Sequence, residues 1–322
     1  VSGTSLTSEE AELLRAQPPA GVILFARNVD HPTQLRALTR QIRDLLGADA
    51  VIMVDQEGGR VARLRPPHWH THPPAAAIGG LYARDAAAGL RAAWLTGALI
   101  GEECVEVGIN VVCAPVLDLY FPTAHDIIGD RAFAADPTAV SALGQAFAEG
   151  LASSGAQPVA KHIPGHGQAK VDSHHALPVV PHLSNNELQP FRHNATLPWA
   201  MTAHIVYPAW DSNRPATLSP IVVERVIREM IGFRGILVSD DLTMKALQGE
   251  PGALTKQALA AGCDLVLHCS GVLEESRAVL NACPPMPAFT RQRLQTASAE
   301  GARSKTQRDP APLLLARDRL LA

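Results

Sequence analysis

Aromatic side chains are scarce, with 7 Phe, 3 Tyr and 4 Trp in 322 residues, so any core has to be packed mainly from aliphatic groups. The five cysteines, Cys104, Cys113, Cys263, Cys269 and Cys283, are odd in number and contain no Cys-x-x-Cys, which argues against a disulfide framework or a zinc knuckle. They read as reduced core thiols of a cytosolic protein. No apolar run reaches the roughly 18 residues needed to span a bilayer, and no charged-then-apolar leader opens the chain. Charge is thin as well: 18% of residues are charged and the formal net charge is -3, which leaves no broad field for nucleic acid or an acidic membrane surface. An anionic ligand would have to be met by local arginines or lysines. The expectation is a cytoplasmic monomer without nucleic-acid or membrane partners. Val1 rather than methionine heads the sequence, so a few residues or a processed leader are expected ahead of it.

What the chain does have is 47% hydrophobic residues, enough for a large core. Short β-branched runs alternate with longer segments of helical period, the pattern of βα units around a parallel sheet. Strands are expected at Gly21–Phe25, Val51–Val54, Ile109–Cys113, Pro158–Lys161, Ala200–Ile205, Ile236–Ser239 and Leu265–His268. Helices are expected at about His31–Leu46, Asp85–Val107, Pro137–Ser154, Asn186–His193, Ile221–Met230, Ala253–Ala261, Val272–Ala282 and Leu313–Leu321. Val1-Ser2-Gly3, ahead of a helix start at Thr7-Ser8-Glu9-Glu10, reads as the stub of an eighth strand. Eight such units close a barrel, so the predicted fold is an α/β (β/α)8 barrel of the TIM type, one domain over residues 1–322.

The most chemically loaded stretch runs from Lys161 to His175. The apolar Pro158-Val159-Ala160 leads into Lys161 and His162, after which Pro164, Gly165 and Gly167 stop regular structure, and Asp172-Ser173-His174-His175 follows. Glycine and proline set backbone angles that hold His162 and His166 without a helix beneath them. The most loop-like stretch, Arg65–Pro74, carries His68, His70 and His72 in alternation; with no carboxylate or thiolate nearby in sequence it reads as a surface loop. In a barrel the chemistry belongs at the C-terminal strand ends, and the polar residues gather there: Arg27-Asn28, Asp55 to Arg60, Asp118, Lys161-His162, His204 and Asp240-Asp241.

Lys161-His162-Ile163-Pro164-Gly165-His166-Gly167 with Asp172-Ser173-His174 resembles the signature of glycoside hydrolase family 3, and within it the short bacterial β-N-acetylhexosaminidases that recycle cell-wall muropeptides. Matches extend along most of the chain: Gly21 to Phe25 with Arg27-Asn28, Asp55 to Val61 with Arg63, Ala114 to Asp118, Ile128 to Phe133, Met201 to His204, Ser239 to Met244, and Ala261 to Leu267. Ile163 stands where the family usually has phenylalanine, and from about Asn281 onward no family motif is recognisable.

The resemblance implies a retaining cleavage of terminal β-linked N-acetylglucosamine, with no cofactor and no metal. It places Asp240 as nucleophile, His174 as acid/base and Asp172 as its partner. Asp55, Arg63, Arg131, Lys161 and His162 match positions that hold sugar hydroxyls. Asp241 takes the helix-cap role that aspartate often fills after a strand. His166 reads as structural, and His204 as a strand-end residue lining the pocket. Three other readings stand beside this one. A histidine acid leaves room for phosphate, so phosphorolysis is the near alternative. A metal-dependent barrel hydrolase built from these histidines would be sensitive to chelators. A non-catalytic sugar-binding barrel would keep Asp55, Arg63 and Lys161 but has no use for Asp240 with the Asp172/His174 pair.

Overall fold

The computed structural model describes residues 1–306 and 308–322. The chain opens with α1 (Ser8–Ala16), started by a capping box in which Thr7 and Glu10 satisfy each other's backbone N–H groups. After β1 (Gly21–Leu24) and α2 (Pro32–Leu46) comes β2 (Val51–Val54), followed by α3 (Ala75–Arg84), α4 (Ala86–Glu106) and β3 (Val111–Val112). Then follow α5 (Pro137–Ser153), β4 (Gln157–Ile163), α6 (Asn185–His193) and β5 (Trp199–Thr202). An antiparallel hairpin, β6 (Val206–Tyr207) with β7 (Asp211–Pro215), precedes a π-helix at Val222–Met230. The chain ends with β8 (Ile236–Asp241), α7 (Pro251–Ala261), β9 (Leu265–Leu267), α8 (Leu273–Ala282), α9 (Ala288–Ser304) and α10 (Pro310–Leu321).

The sheet runs β1-β2-β3-β4-β5-β8-β9, every pair parallel, and curls into a nearly closed barrel with helices outside: the architecture of a (β/α)8 barrel. All seven expected strands form, with ends shifted by a few residues. The eighth does not. Val1–Gly3 is irregular, and the Val1 carbonyl accepts from Arg27 Nε and Asn28 Nδ2 at 3.1 Å each instead of joining a ladder. Residues of β1 and β9 line one apolar cavity of about 510 Å³, which Leu13, Leu14, Met53 and Val279 also border.

Strand alternation sorts the apolar residues into two layers. Ile23, Val51, Met53, Val111, Val159, Trp199, Met201, Ile236 and Val238 form one cluster. Leu24, Ile52, Val54, Val112, Ala160, Ala200 and Leu237, the opposite phase, join the helices in a second and larger one. With few aromatics, close helix packing relies on small residues. Gly97 of α4 lies against the Phe147 carbonyl of α5, and Gly150 of α5 against the Trp94 carbonyl of α4; a Cβ at either would collide with backbone.

Two helices have no counterpart among the sequence expectations. In α3, Gly79-Gly80 weakens the helical signal, but Gly79 is what lets the helix press against the Phe133 carbonyl. The other is α9, whose apolar periodicity is weak. The Arg65–Pro74 loop also departs from its reading as a plain surface loop. Glu103, delivered by α4, bridges His70 Nδ1 at 2.7 Å and His72 Nε2 at 2.9 Å, and the buried His72 bonds Arg317 of α10 at 2.8 Å. The missing carboxylate partner was distant in sequence, not in space.

Among the described residues, no helix is long and apolar enough to cross a membrane. Cys104, Cys113, Cys263 and Cys269 are free and buried, and Cys283 is free and exposed.

Candidate active site

The inner phase of each strand decides which polar residue faces the barrel mouth. Asp55 lies two residues beyond Met53, Lys161 two beyond Val159, and Asp240 two beyond Val238, so all three continue the inward-facing rows. A register shift in the β4–β5 ladder between Lys161 and Ile163 breaks strict alternation at His162. Bulges of this kind re-aim side chains, and here two consecutive residues are both used in the site.

Lys161 Nζ sits 2.9 Å from Asp55 Oδ1 and 2.6 Å from Glu57 Oε1. Arg63 Nη2 donates to Asp55 Oδ2 at 3.0 Å, while Arg131 grips Glu57 with Nε and Nη2, both at 2.9 Å. Two carboxylates and three cations thus interlock, which fixes their geometry better than any single pair would. Gln56 braces the turn behind them, accepting from the N–H of Arg63 and Leu64 and donating to the Leu64 carbonyl.

Burial works against every charge in this cluster, and the partners prevail. Burial would raise Asp55, but Lys161 and Arg63 hold it well below the usual carboxylate range; Glu57 is likewise drawn down to about 2 by Arg131 and Lys161. Lys161 and Arg131 move up in spite of burial, held by these carboxylates. All four remain charged at neutral pH. Arg63 Nε is buried and has no hydrogen-bond partner among the described residues.

His162 is set by Asp118, whose Oδ2 lies 2.7 Å from His162 Nδ1 and 3.2 Å from its backbone N. The carboxylate can only accept, so Nδ1 carries the hydrogen; Nε2 then faces Arg131 Nη2 at 3.5 Å. Asp118 Oδ1 also accepts the His166 N–H at 2.6 Å. Burial would raise the Asp118 carboxyl, but the neighbouring His162 holds it low.

Asp240, partly exposed, stands at the end of β8, and its Oδ1 accepts the Asp241 N–H at 2.8 Å. Burial pushes its carboxyl up, and the neighbouring His204, His162 and Lys161 bring it below the usual value, so it is an anion at neutral pH. His204 is fully buried, bonded to Thr217 Oγ1 at 2.7 Å and to the Asp241 carbonyl at 2.9 Å. It backs the strand end, with both ring nitrogens engaged by protein groups. Asp241 accepts from Thr243 and from the Cys269 N–H, so it closes a turn; the helix cap expected of it does not form, because α7 begins only at Pro251.

Asp172 and His174 form a pair, with Oδ1 2.7 Å from the ring Nδ1 and 2.8 Å from the backbone N of His174. Burial would raise Asp172, but the His174 N–H and ring lower it. The pair lies on an exposed loop, the His174 side chain 56% exposed, and makes no hydrogen bond to the Lys161 cluster among the described residues. His175 projects to solvent at 75% exposure, 3.9 Å from Asp172.

The structure therefore joins Asp55, Arg63, Arg131, Lys161 and His162 in one network, with Asp240 beside it, while Asp172/His174 pair with each other on a separate exposed loop. Two members went without a role in the sequence reading: Glu57, which holds Arg131 and Lys161 together, and Asp118. The available signal for Glu57 was its parity with Asp55, two residues earlier at the same strand end.

His166 supplies a pH dependence of stability. Its ring is buried, and burial, reinforced by the neighbouring His162, pushes it down to about 4 from the usual 6.5. The unfolded chain therefore takes up this proton before the folded one does, and the stability present above pH 6.5 is lost as pH falls towards about 4. Glu57 extends the loss from 4.5 towards about 2. Thermal melts are expected to show Tm declining steadily below about pH 6.5; a flat Tm between pH 6.5 and 4 would contradict a buried neutral His166.

Fixed carboxylates, cations and an imidazole at the C-terminal mouth of a parallel barrel, with an anionic aspartate near them, form a site suited to a small polyhydroxylated ligand. The glycosyl hydrolase family 3 N-terminal domain model matches residues 2–298, and the chain belongs to this family. A protein named beta-hexosaminidase from Aromatoleum aromaticum is 40% identical over 278 residues, covering 84% of this chain and 78% of the relative. Another of that name from Alkalilimnicola ehrlichii is 42% identical over 279 residues, covering 84% and 79%. The crystal structure of NagZ from Neisseria gonorrhoeae in complex with N-trifluoroacetyl-D-glucosamine superposes with a TM-score of 0.87 at 32% identity, over 100% of this chain and 95% of that one.

Proposed function

We propose that this chain is a retaining exo-β-N-acetylglucosaminidase that releases terminal N-acetylglucosamine from muropeptide fragments ending in anhydro-N-acetylmuramic acid. The observation that carries the reading is Asp240: an inward-facing carboxylate at a strand end, kept ionised by His204, His162 and Lys161, beside a prearranged set of hydroxyl-binding groups. It is supported by relatives named beta-hexosaminidase and by the similar NagZ, whose structure holds an N-acylated glucosamine.

In this reading Asp55, Arg63, Lys161, Arg131 and His162 bind the sugar hydroxyls and fix the ring. Asp240 attacks the anomeric carbon as the leaving oxygen takes a proton from His174, giving a covalent glycosyl-aspartate. Asp172 engages Nδ1 of His174, so Nε2 is the nitrogen free to hand over a proton and then to take one from the incoming water. The second displacement restores the β configuration. Substrate and protein residues supply every group in the scheme, so no cofactor is called for.

The test is proton NMR of a GlcNAc-anhydroMurNAc-peptide digest, run with and without inorganic phosphate. The β anomer of free N-acetylglucosamine is expected to appear first in both. First appearance of the α anomer would exclude retention, and a phosphate-dependent switch to the sugar 1-phosphate would replace hydrolysis by phosphorolysis.

A further inference from the structure

The loop bearing Asp172 and His174 is held at its two ends and, between them, at His166, Gln168, Ala169 and Ser173. At its start, Tyr207 Oη donates to the Gly165 carbonyl at 2.8 Å. At its far end, Pro178 to Val180 pair with Val206 of the hairpin, the Val206 N–H reaching the Pro178 carbonyl at 3.0 Å and the Val180 N–H the Val206 carbonyl at 2.9 Å. Across residues 170–177, Ser173 alone among the described residues makes hydrogen bonds that leave the segment. It is 2% exposed, although it stands between the partly exposed Asp172 and the exposed His174.

Its two bonds lead to informative places. Ser173 Oγ lies 3.2 Å from His166 Nε2, and the Ser173 carbonyl accepts the Ala246 N–H at 3.1 Å. Ala246 lies in the turns that follow β8, the strand that carries Asp240. His166 is itself fixed, its N–H held by Asp118, the carboxylate that also orients His162. Among the described residues the other ring nitrogen of His166 is buried without a partner, and Ser173 is the hydrogen-bonding contact of that ring. One chain of contacts therefore runs from the sugar-binding His162 through Asp118 and His166 to the middle of the exposed pair, and a second ties that point to the exit of β8.

We infer that Ser173 is a positioning residue that sets the Asp172/His174 pair relative to Asp240, anchoring an otherwise exposed loop tip through His166 and Ala246. The inference rests on the acid/base role proposed for His174. Without the anchor, residues 170–177 keep their ends and the internal Asp172–His174 bond but lose a fixed height above the mouth. Binding of the sugar, which the Asp55–Lys161–Glu57–Arg131 network handles, is left alone. Proton delivery suffers, because it needs the ring within hydrogen-bond reach of the leaving oxygen.

The experiment compares Ser173→Ala with His174→Ala on two substrates, a disaccharide and a nitrophenyl β-N-acetylglucosaminide, with trypsin cleavage after the exposed Lys170 as a structural readout. For Ser173→Ala, kcat on the disaccharide should fall by about tenfold and on the nitrophenyl glycoside by a clearly smaller factor, with KM little changed on both. Cleavage after Lys170 should quicken while the thermal midpoint stays near that of the parent. A merely structural serine would lower both rates by one factor or raise KM. If His174→Ala shows the leaving-group bias and Ser173→Ala does not, the anchor is refuted and the acid/base reading stands. If His174→Ala shows no bias, that reading falls and takes the anchor with it.

Discussion

Asp240→Ala is expected to lower kcat on an aryl β-N-acetylglucosaminide by about 10⁴-fold or more, the scale of loss when a residue acting as a unit with its partners is removed. The carboxylates of the network cannot take over. Asp55, Glu57 and Asp118 are each committed to cations or to His162, and none is free to approach an anomeric carbon without undoing the network. Asp241→Ala is the matched control. Its carboxylate only closes the turn at Thr243 and receives the Cys269 N–H, so its loss costs about 1 kcal/mol of local stability and leaves a substantial part of the rate. Steady-state rates of the two variants, with circular dichroism to verify folding, decide the matter. A dead Asp241 variant beside an active Asp240 variant would overturn the assignment.

The second large effect is selective. Protonation of the leaving oxygen matters most when the leaving group is a sugar alcohol and least when it is an activated phenol, so removal of the acid punishes the two substrates unequally. His174→Ala should lose about 10² to 10⁴ in rate on a disaccharide and far less on a nitrophenyl glycoside. Asp172→Ala should show the same bias more mildly, since the carboxylate 2.7 Å from Nδ1 orients the ring but transfers no proton itself. Azide, which needs no base, should speed breakdown of the glycosyl-enzyme in the His174 variant. An equal slowing of both substrates with no azide rescue would move the acid/base role elsewhere. His162 would be the next candidate, because among the described residues its Nε2 meets only Arg131, at 3.5 Å, whereas Nε2 of His166 is taken by Ser173.

Much of this was legible in the chain itself, and for a local reason. A strand of a buried parallel sheet reads as a short, near-continuous apolar run, so Val51–Val54, Pro158–Lys161 and Ile236–Ser239 announce themselves, and the alternation with amphipathic helices implies the barrel. Side-chain parity along such strands then carries Asp55, Lys161 and Asp240 to the same mouth. The Asp172–His174 bond was equally local, spanning two residues.

What sequence could not reveal depends on residues far apart being brought together. Glu57 looks like one more loop charge until Arg131, 74 residues away, closes on it with two hydrogen bonds. Asp118 gains its task only when β4 lies beside β3 and presents His162 and His166 to it. His70 and His72 have no carboxylate near them in sequence because Glu103 arrives from α4, and Asp241 caps no helix because a run of turns separates β8 from α7. Propensity and periodicity report the energetics of neighbouring residues along the chain. The pairing of buried charges is a property of the packed molecule, since an ion pair of this kind exists only where desolvation and geometry are both set by the fold.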